Sequence, residues 1–353
     1  DVQLRYIQTN GTLPLKEAIC ELYQGAAPDN VLVTNGSAEA NFISVWRHVE
    51  PGDEFLVFLP NYMQVPGLAR TFGARVVPFP LDDKKGWAPD LDRLATLVSP
   101  RTKLIYLSNP NNPTGAILSE VEMREIVRLA EKVGAWILAD EVYRGAELGG
   151  EISPTFWGMS ERVIVVAGLS KAYTLPGLRI GWIVGPKDFV EAAWGCHDYT
   201  TITTGALNDR LARLAMQPDK RRQILLRNRK ISAENLGILQ SWLASHPGLF
   251  DFIPPKIGGV AFIGYHLNMN STELVMRVLR EKSVLIVPGD AFGRDGYVRM
   301  GYGSPLLLAG LGLISETLES ITKGVEATGY GENGMPQGTR AGSAEKNPGS
   351  SGR

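Results

Sequence analysis

Cysteine is scarce in this chain. Two occur among 353 residues, Cys20 and Cys196, too few for a disulfide framework and without metal-ligand spacing. Histidine is nearly as rare: His48, His197, His246 and His266 are scattered, so no metal site is expected. Charge of one sign is missing too. The 36 basic and 37 acidic side chains leave a net charge of −1, which offers no basic footprint for nucleic acid and no polybasic patch for a membrane surface. No apolar run reaches the roughly 18 residues of a membrane helix, and no signal peptide opens the chain. No G-x-G-x-x-G follows a strand, which argues against a nicotinamide dehydrogenase. What remains is a globular protein of one or two domains, expected in the cytoplasm.

Short, β-rich apolar runs are what the sequence does have. They are Val31–Thr34, Phe55–Leu59, Arg75–Phe79, Leu104–Leu107, Trp136–Ala139, Arg162–Ala167 and Arg179–Val184. Continuous rather than alternating hydrophobicity marks strands covered on both faces, so the expected fold class is α/β, a mostly parallel seven-stranded sheet between helices. Leu118–Val133 has helical spacing, with Ser119 placed as N-cap and Gly134 as stop. Ala206–Ser245 reads as long helical material. The runs Phe252–Leu267 and Thr272–Glu281, with strands near Leu285 and Tyr297, suggest a smaller α+β domain. The expected division is a large domain over 1–220, a small one over 221–323, and a disordered tail over 324–353, rich in Gly, Ser, Pro and Asn.

In an open parallel sheet ligands gather at the carboxyl ends of the strands, so the residues that follow each run are the informative ones. Lys171 follows one such run and Arg179 comes eight residues later, after a Pro176-Gly177 turn. An amine that can condense with a carbonyl, beside a guanidinium that can fork onto phosphate oxygens, suits a carbonyl-bearing phosphate ligand. A surface lysine in a loop is the plainer alternative. Asp140 ends another run, and its carboxylate is costly to bury without a positive partner such as a protonated ring nitrogen; capping the next helix is the other role open to it. In TNGSAEA, residues 34–40, a strand passes through Gly36 into a helix whose first N–H groups and Ser37 hydroxyl would face a phosphate. The loop NPNNPTG, residues 109–115, aims the Asn112 amide at a ligand or forms an ordinary turn. Tyr62 could stack on a flat ring or belong to the core.

Together, SK-x4-PG-x-R at Ser170–Arg179, NPNNPTG, DEVYR and YVRMGYG resemble the class I/II aminotransferase family, pyridoxal-phosphate enzymes of fold type I. The match runs from about Tyr6 to Ile321 with the motifs in family order. The resemblance implies pyridoxal 5'-phosphate as cofactor and an amino group moved from an L-amino acid to a 2-oxo acid through a Lys171 aldimine. Lys171, Asp140 and Tyr143 would be catalytic, with Asp140 paired to the pyridine nitrogen. Asn112 and Tyr143 match the donors to the phenolic oxygen, and Tyr62 the aromatic stacked on the ring. Gly36, Ser37, Ala38, Ser170 and Arg179 would hold the cofactor, largely at its phosphate. Arg299 matches the grip on the substrate α-carboxylate, with Asn112 beside it. Tyr6 resembles a tyrosine that reaches the phosphate of a neighbouring subunit, which implies a homodimer.

The sequence also departs from the family pattern. Gly168 stands where many relatives carry a phosphate-binding serine, which implies weakened rather than abolished phosphate binding. The chain begins close to Tyr6, well inside the usual family sequence, whose preceding segment often packs over the active site. Substrate choice is less legible: the loop His197–Thr201 could approach the substrate side chain, and Asp198 there would favour a cationic one or simply cap a helix. The same lysine, acid and arginine serve pyridoxal-phosphate lyases, decarboxylases and cyclising enzymes resembling capreomycidine synthase. A non-catalytic cofactor-binding regulatory module is the third reading.

Overall fold

The computed structural model describes residues 3–328, with side chains through Thr322. Seven strands form the main sheet: β1 (Val31–Thr34), β2 (Glu54–Leu59), β3 (Arg75–Pro80), β4 (Thr102–Ser108), β5 (Trp136–Asp140), β6 (Val163–Gly168) and β7 (Gly181–Val184). Their order across the sheet is β1-β7-β6-β5-β4-β2-β3. The helices of this half are α1 (Leu13–Cys20), α2 (Ser37–His48), α3 (Gln64–Thr71), α4 (Leu91–Leu97), α5 (Glu120–Val133), α6 (Lys187–His197) and α7 (Ala206–Met216). The long α8 (Pro218–Ala244) leads to a second, antiparallel sheet of β8 (Phe250–Phe252), β9 (Val260–Tyr265), β10 (Val287–Pro288) and β11 (Tyr297–Gly301). Helices α9 (Ser271–Lys282) and α10 (Leu307–Thr328) pack with it.

Both faces of the main sheet are buried, as unbroken hydrophobicity requires. Val33, Leu56, Ile105, Ile137, Val165 and Trp182 meet α1, α5 and α7 on one face. Leu32, Val57, Tyr106, Leu138, Val166 and Ile183 meet α2, α3 and α6 on the other. Edge strand β3 differs from the sequence expectation. Most of its side chains are exposed or half-buried, because only β2 pairs with it. Arg179 is also outside the strand expected to contain it: it closes a 3-10 turn in the left-handed region, φ 49°, and β7 begins two residues later. The long helical stretch after residue 206 is two helices, parted where Pro218 starts α8. The expected boundary at 220/221 lies in the first turn of α8, which carries Leu225 to the large core and Leu239 and Leu243 to the small one. Residues 324–328 of the expected tail continue α10, and the rest of it lies outside the described residues.

Strand direction sets the site. β2, β4, β5 and β6 run parallel, and β1 joins them in direction because β7 is antiparallel to both β1 and β6. The ends of β1, β2, β4, β5 and β6 and the start of β7 therefore share one sheet edge. Thr34 and Gly168 both face Gly181 in register. Gly181 has no room for a side chain there, since a Cβ would overlap the Gly36–Ser37 backbone. Gly181→Ala should push the start of α2 outward and cost about 1–3 kcal/mol of stability by overpacking. Thermal unfolding checks this, and an unchanged Tm would show that the junction yields.

Candidate active site

Asp140 is the last residue of β5, and its side chain follows the parity of Leu138 to the α2 face. There the buried Asn41 donates from Nδ2 to Asp140 Oδ2 at 3.1 Å. The Val142 N–H donates to Oδ1 at 3.1 Å, a turn two residues long that answers the capping alternative only locally. Burial pushes the Asp140 carboxyl up from its ordinary range, against the pull of Asn41, the Val142 N–H and the charge of Lys171. Lys171 follows the end of β6 by three residues. Burial lowers its ammonium, the charges of Arg299 and Arg179 lower it further, and Asp140 opposes them. The three charges that act on one amine thus come from three separate stretches of chain.

A cleft of about 510 Å³ opens over this amine, lined by Tyr143, Ser170, Lys171, Gly258, Gly259 and Arg299 among others. Arg299, on β11, donates from Nη1 to Asn112 Oδ1 at 3.1 Å, which leaves the Asn112 amide N–H groups for a ligand. Its guanidinium lies 4.9 Å from the Phe292 ring centroid, and its buried Nε has no partner among the described residues. Asn112 itself is fixed by its backbone N–H on Ser108 Oγ at 3.2 Å. Ser108 in turn binds Asn61 and Asn111. Burial pushes the Tyr143 phenol up to about 12, although Arg299 pulls against it. The phenol is therefore a hydrogen-bond donor at neutral pH.

At the other end, Gly36 takes φ 85° as the N-cap of α2. A Cβ there would overlap the Arg179 guanidinium, so glycine is needed for both the dihedral and the space. Arg179 donates to Pro176 O at 3.1 Å and to Asn35 O at 3.3 Å. The free N–H groups of a 12-residue helix and a guanidinium make an anion cradle. Ala38 lies one residue further into α2. Tyr62 follows β2 at the same edge and is 42% exposed, while Tyr6 is 79% exposed.

The sequence profile of the family described as Aminotransferase class I and II matches residues 3–306. The chain belongs to this family. A relative named capreomycidine synthase, from Streptomyces vinaceus, is 35% identical over 299 residues, covering 83% of this chain and 76% of that one. An aspartate aminotransferase of Streptomyces avermitilis is 29% identical over 335 residues, covering 89% and 81%. A solved pyridoxal-phosphate-dependent aminotransferase from Streptococcus suis superposes with a TM-score of 0.85 at 36% identity, covering 90% of this chain and 84% of that one. This chain is accordingly a pyridoxal-phosphate-dependent aminotransferase of fold type I.

The residues of this aminotransferase fit that cofactor. An amine with a lowered proton affinity, a buried acid and an anion cradle are the three groups that an aldehyde, a pyridine nitrogen and a phosphate require. Asn41 was not foreseen from sequence. Its signal is a polar residue on the buried face of α2, beside Ala40 and Ser44. The loop after His197 does not approach the cleft as anticipated: Thr200 and Thr201 bind Glu39 of α2, and Asp198 is the C-cap residue of α6.

Gly168 has a structural reason. A Cβ there would stand 2.9 Å from Ile180 O and 3.0 Å from Gly181 Cα. Restoring the family serine by Gly168→Ser should gain about 1 kcal/mol from one hydrogen bond and lose about 1–3 kcal/mol to crowding. The expected result is no tighter cofactor binding and a lower Tm. Tighter binding at unchanged Tm would refute it.

Proposed function

We propose that Lys171 moves the proton in amino transfer, that Arg299 anchors the substrate α-carboxylate, and that Asp140 keeps a proton on the ring nitrogen of the cofactor. The observation that carries this reading is the meeting of Lys171, Arg299 and Tyr143 in one cleft, with the charge of Asp140 acting on the same amine. Pyridoxal phosphate supplies the aldehyde and the electron sink. The chain supplies placement. Arg299, steadied by Asn112, fixes a carboxylate and with it the direction of the Cα–H bond. Lys171, whose burial disfavours its charged form, can take that proton as base and deliver it again as acid. Ser37, the Gly36 turn and Arg179 hold the phosphate, while Tyr143 and Asn112 donate toward the phenolic oxygen and Tyr62 covers the ring.

A homodimer is part of the reading. Leu207, Leu211 and Leu214 leave an exposed apolar stripe on α7, and Tyr6, Trp46 and Tyr199 are exposed as well. Such faces mark protein interfaces, and Tyr6 has no place in the cleft of its own subunit. The cytoplasmic location is supported by the two free thiols, Cys20 and Cys196, and no helix among the described residues is long and apolar enough to cross a membrane. Aspartate is the first amino donor to test. Relatives are named for it, and the cleft wall adds Arg227 and Arg229 without an acidic residue. The 35% identity with a capreomycidine synthase favours a second reading, in which the same groups serve a different bond cleavage. Amino-group exchange between an amino acid and a 2-oxo acid supports the first reading; release of ammonia or carbon dioxide, or a cyclised product, supports the second.

Lys171→Ala should lower turnover on the order of 10³-fold or more and abolish borohydride fixation of the cofactor, while some cofactor stays bound. Normal turnover would remove Lys171 from its role. Arg299→Gln should raise the KM for the amino acid about ten- to a hundredfold through loss of a charged hydrogen-bond donor, with little change in cofactor absorbance. An unaltered KM would place the carboxylate elsewhere. Light scattering should give twice the chain mass of 38.5 kDa; a monomer would end the dimer proposal.

A further inference from the structure

The segment after α6 is held at the phosphate end of the site. Thr200 Oγ1 and Thr201 Oγ1 donate to Glu39 Oε1 at 2.5 and 2.8 Å. His197 Nε2 lies 3.3 Å from Glu39 Oε2, and the Asn35 N–H donates to the same oxygen at 2.6 Å. The side chain of Asn35 donates to Thr201 Oγ1 at 2.7 Å and Thr203 O at 3.2 Å. Its carbonyl then accepts from Arg179 Nη2. One carboxylate therefore gathers four donors, and the residue it grips by the backbone hands its own oxygen to the phosphate arginine.

Glu39 is the third residue of the cradle helix. An uncompensated anion there would oppose a phosphate a few ångströms away. Burial works against its ionisation, but the bonds from His197, Thr200, the Asn35 N–H and Thr201 outweigh it and hold the carboxyl down at about 2. His197 is fully buried, and both its ring nitrogens face acceptors, Glu39 on one side and Thr9 O at 3.1 Å on the other. The ring therefore sits between two acceptors, with Nε2 placed to donate to Glu39. The acceptor capacity of the carboxylate is thus taken up by donors inside the protein.

We infer that Glu39, paired with His197, is a positioning residue for the cofactor phosphate: it fixes the Asn35–Gly36–Ser37 turn and, through the Asn35 carbonyl, the Arg179 guanidinium. This deepens the cofactor assignment and rests on it. With the serine position at 168 closed by crowding, the cradle depends on that turn and arginine being held in place. Glu39 itself touches no substrate.

The test uses the cofactor-stripped full chain, titrated with pyridoxal phosphate and, separately, with pyridoxal, which lacks the phosphate. In wild type the phosphate ester should bind far more tightly. Glu39→Gln should weaken pyridoxal phosphate about tenfold, the scale of one charged hydrogen bond, and pyridoxal less than twofold. Thr201→Val, which removes one donor at the exposed end of the network, should shift the ratio in the same direction by less. Glu39→Asp, which keeps the charge, should recover part of the loss. Equal weakening toward both ligands, or none toward either, overturns the inference, since a merely structural role would not select for the phosphate. A wild type that binds both ligands alike would instead sink the assignment of Arg179 and Ser37 to the phosphate, and the inference with it.

Discussion

A carboxylate at the end of an apolar strand is the constraint from which this site follows. Asp140 is buried among aliphatic side chains on the α2 face, where ionisation is disfavoured. Two neutral donors, Asn41 and the Val142 N–H, supply part of what solvent would give. They leave a demand for a cation that the protein meets only through the more distant charge of Lys171. In the proposed reading, a protonated pyridine nitrogen would complete the set. Ring and acid would then stabilise each other, which is the state an electron sink needs.

The antiparallel β7 solves a second problem. Were β7 parallel to its neighbours, its start would lie at the far edge and Arg179 with it. Reversing that single strand brings the turn before Gly181 back to the edge where Thr34 and Gly168 end. The cost is crowding. Gly36, Gly168 and Gly181 each lack room for a Cβ, and Arg179 adopts a left-handed conformation unusual for a residue with a side chain. These features gather where β1, β6 and β7 meet, as expected where several backbones converge.

Local pattern explains what was legible in the sequence. All seven strands of the main sheet were visible, because burial on both faces writes itself as continuous hydrophobicity, and Ser119 announced α5 as its N-cap, which the structure completes with Glu122 as a capping box. Lys171, Asp140, Asn112, Arg179 and Arg299 were legible as motif residues. The edge exposure of β3 and the break at Pro218 were not, since the first depends on which strand lacks a neighbour and the second on how two helices turn against the core. Long-range pairings were the least visible. Asn41 meets Asp140 across 99 residues and Glu39 meets Thr200 across 161; no local period records either. The loop beginning at His197 looked like a substrate contact because polar residues followed the core strands, yet those hydroxyls satisfy a buried carboxylate.

The cleft is also a store of unfavourable charge. Burial, with the charges of Arg299 and Arg179, lowers the proton affinity of the Lys171 amine, so the folded state disfavours the charged lysine relative to an unfolded chain. The folded protein then binds fewer protons than the unfolded one between its lowered lysine pKa and the ordinary 10.5, and its stability from this group rises with pH through that window. In the proposed reading, a phosphate near Arg179 and a carboxylate near Arg299 would reverse the local field. They would offset the cations that act on the amine, and binding would stabilise the fold with the logarithm of ligand concentration over Kd. In that reading, cations that act on one amine and recognition of two anions are one arrangement.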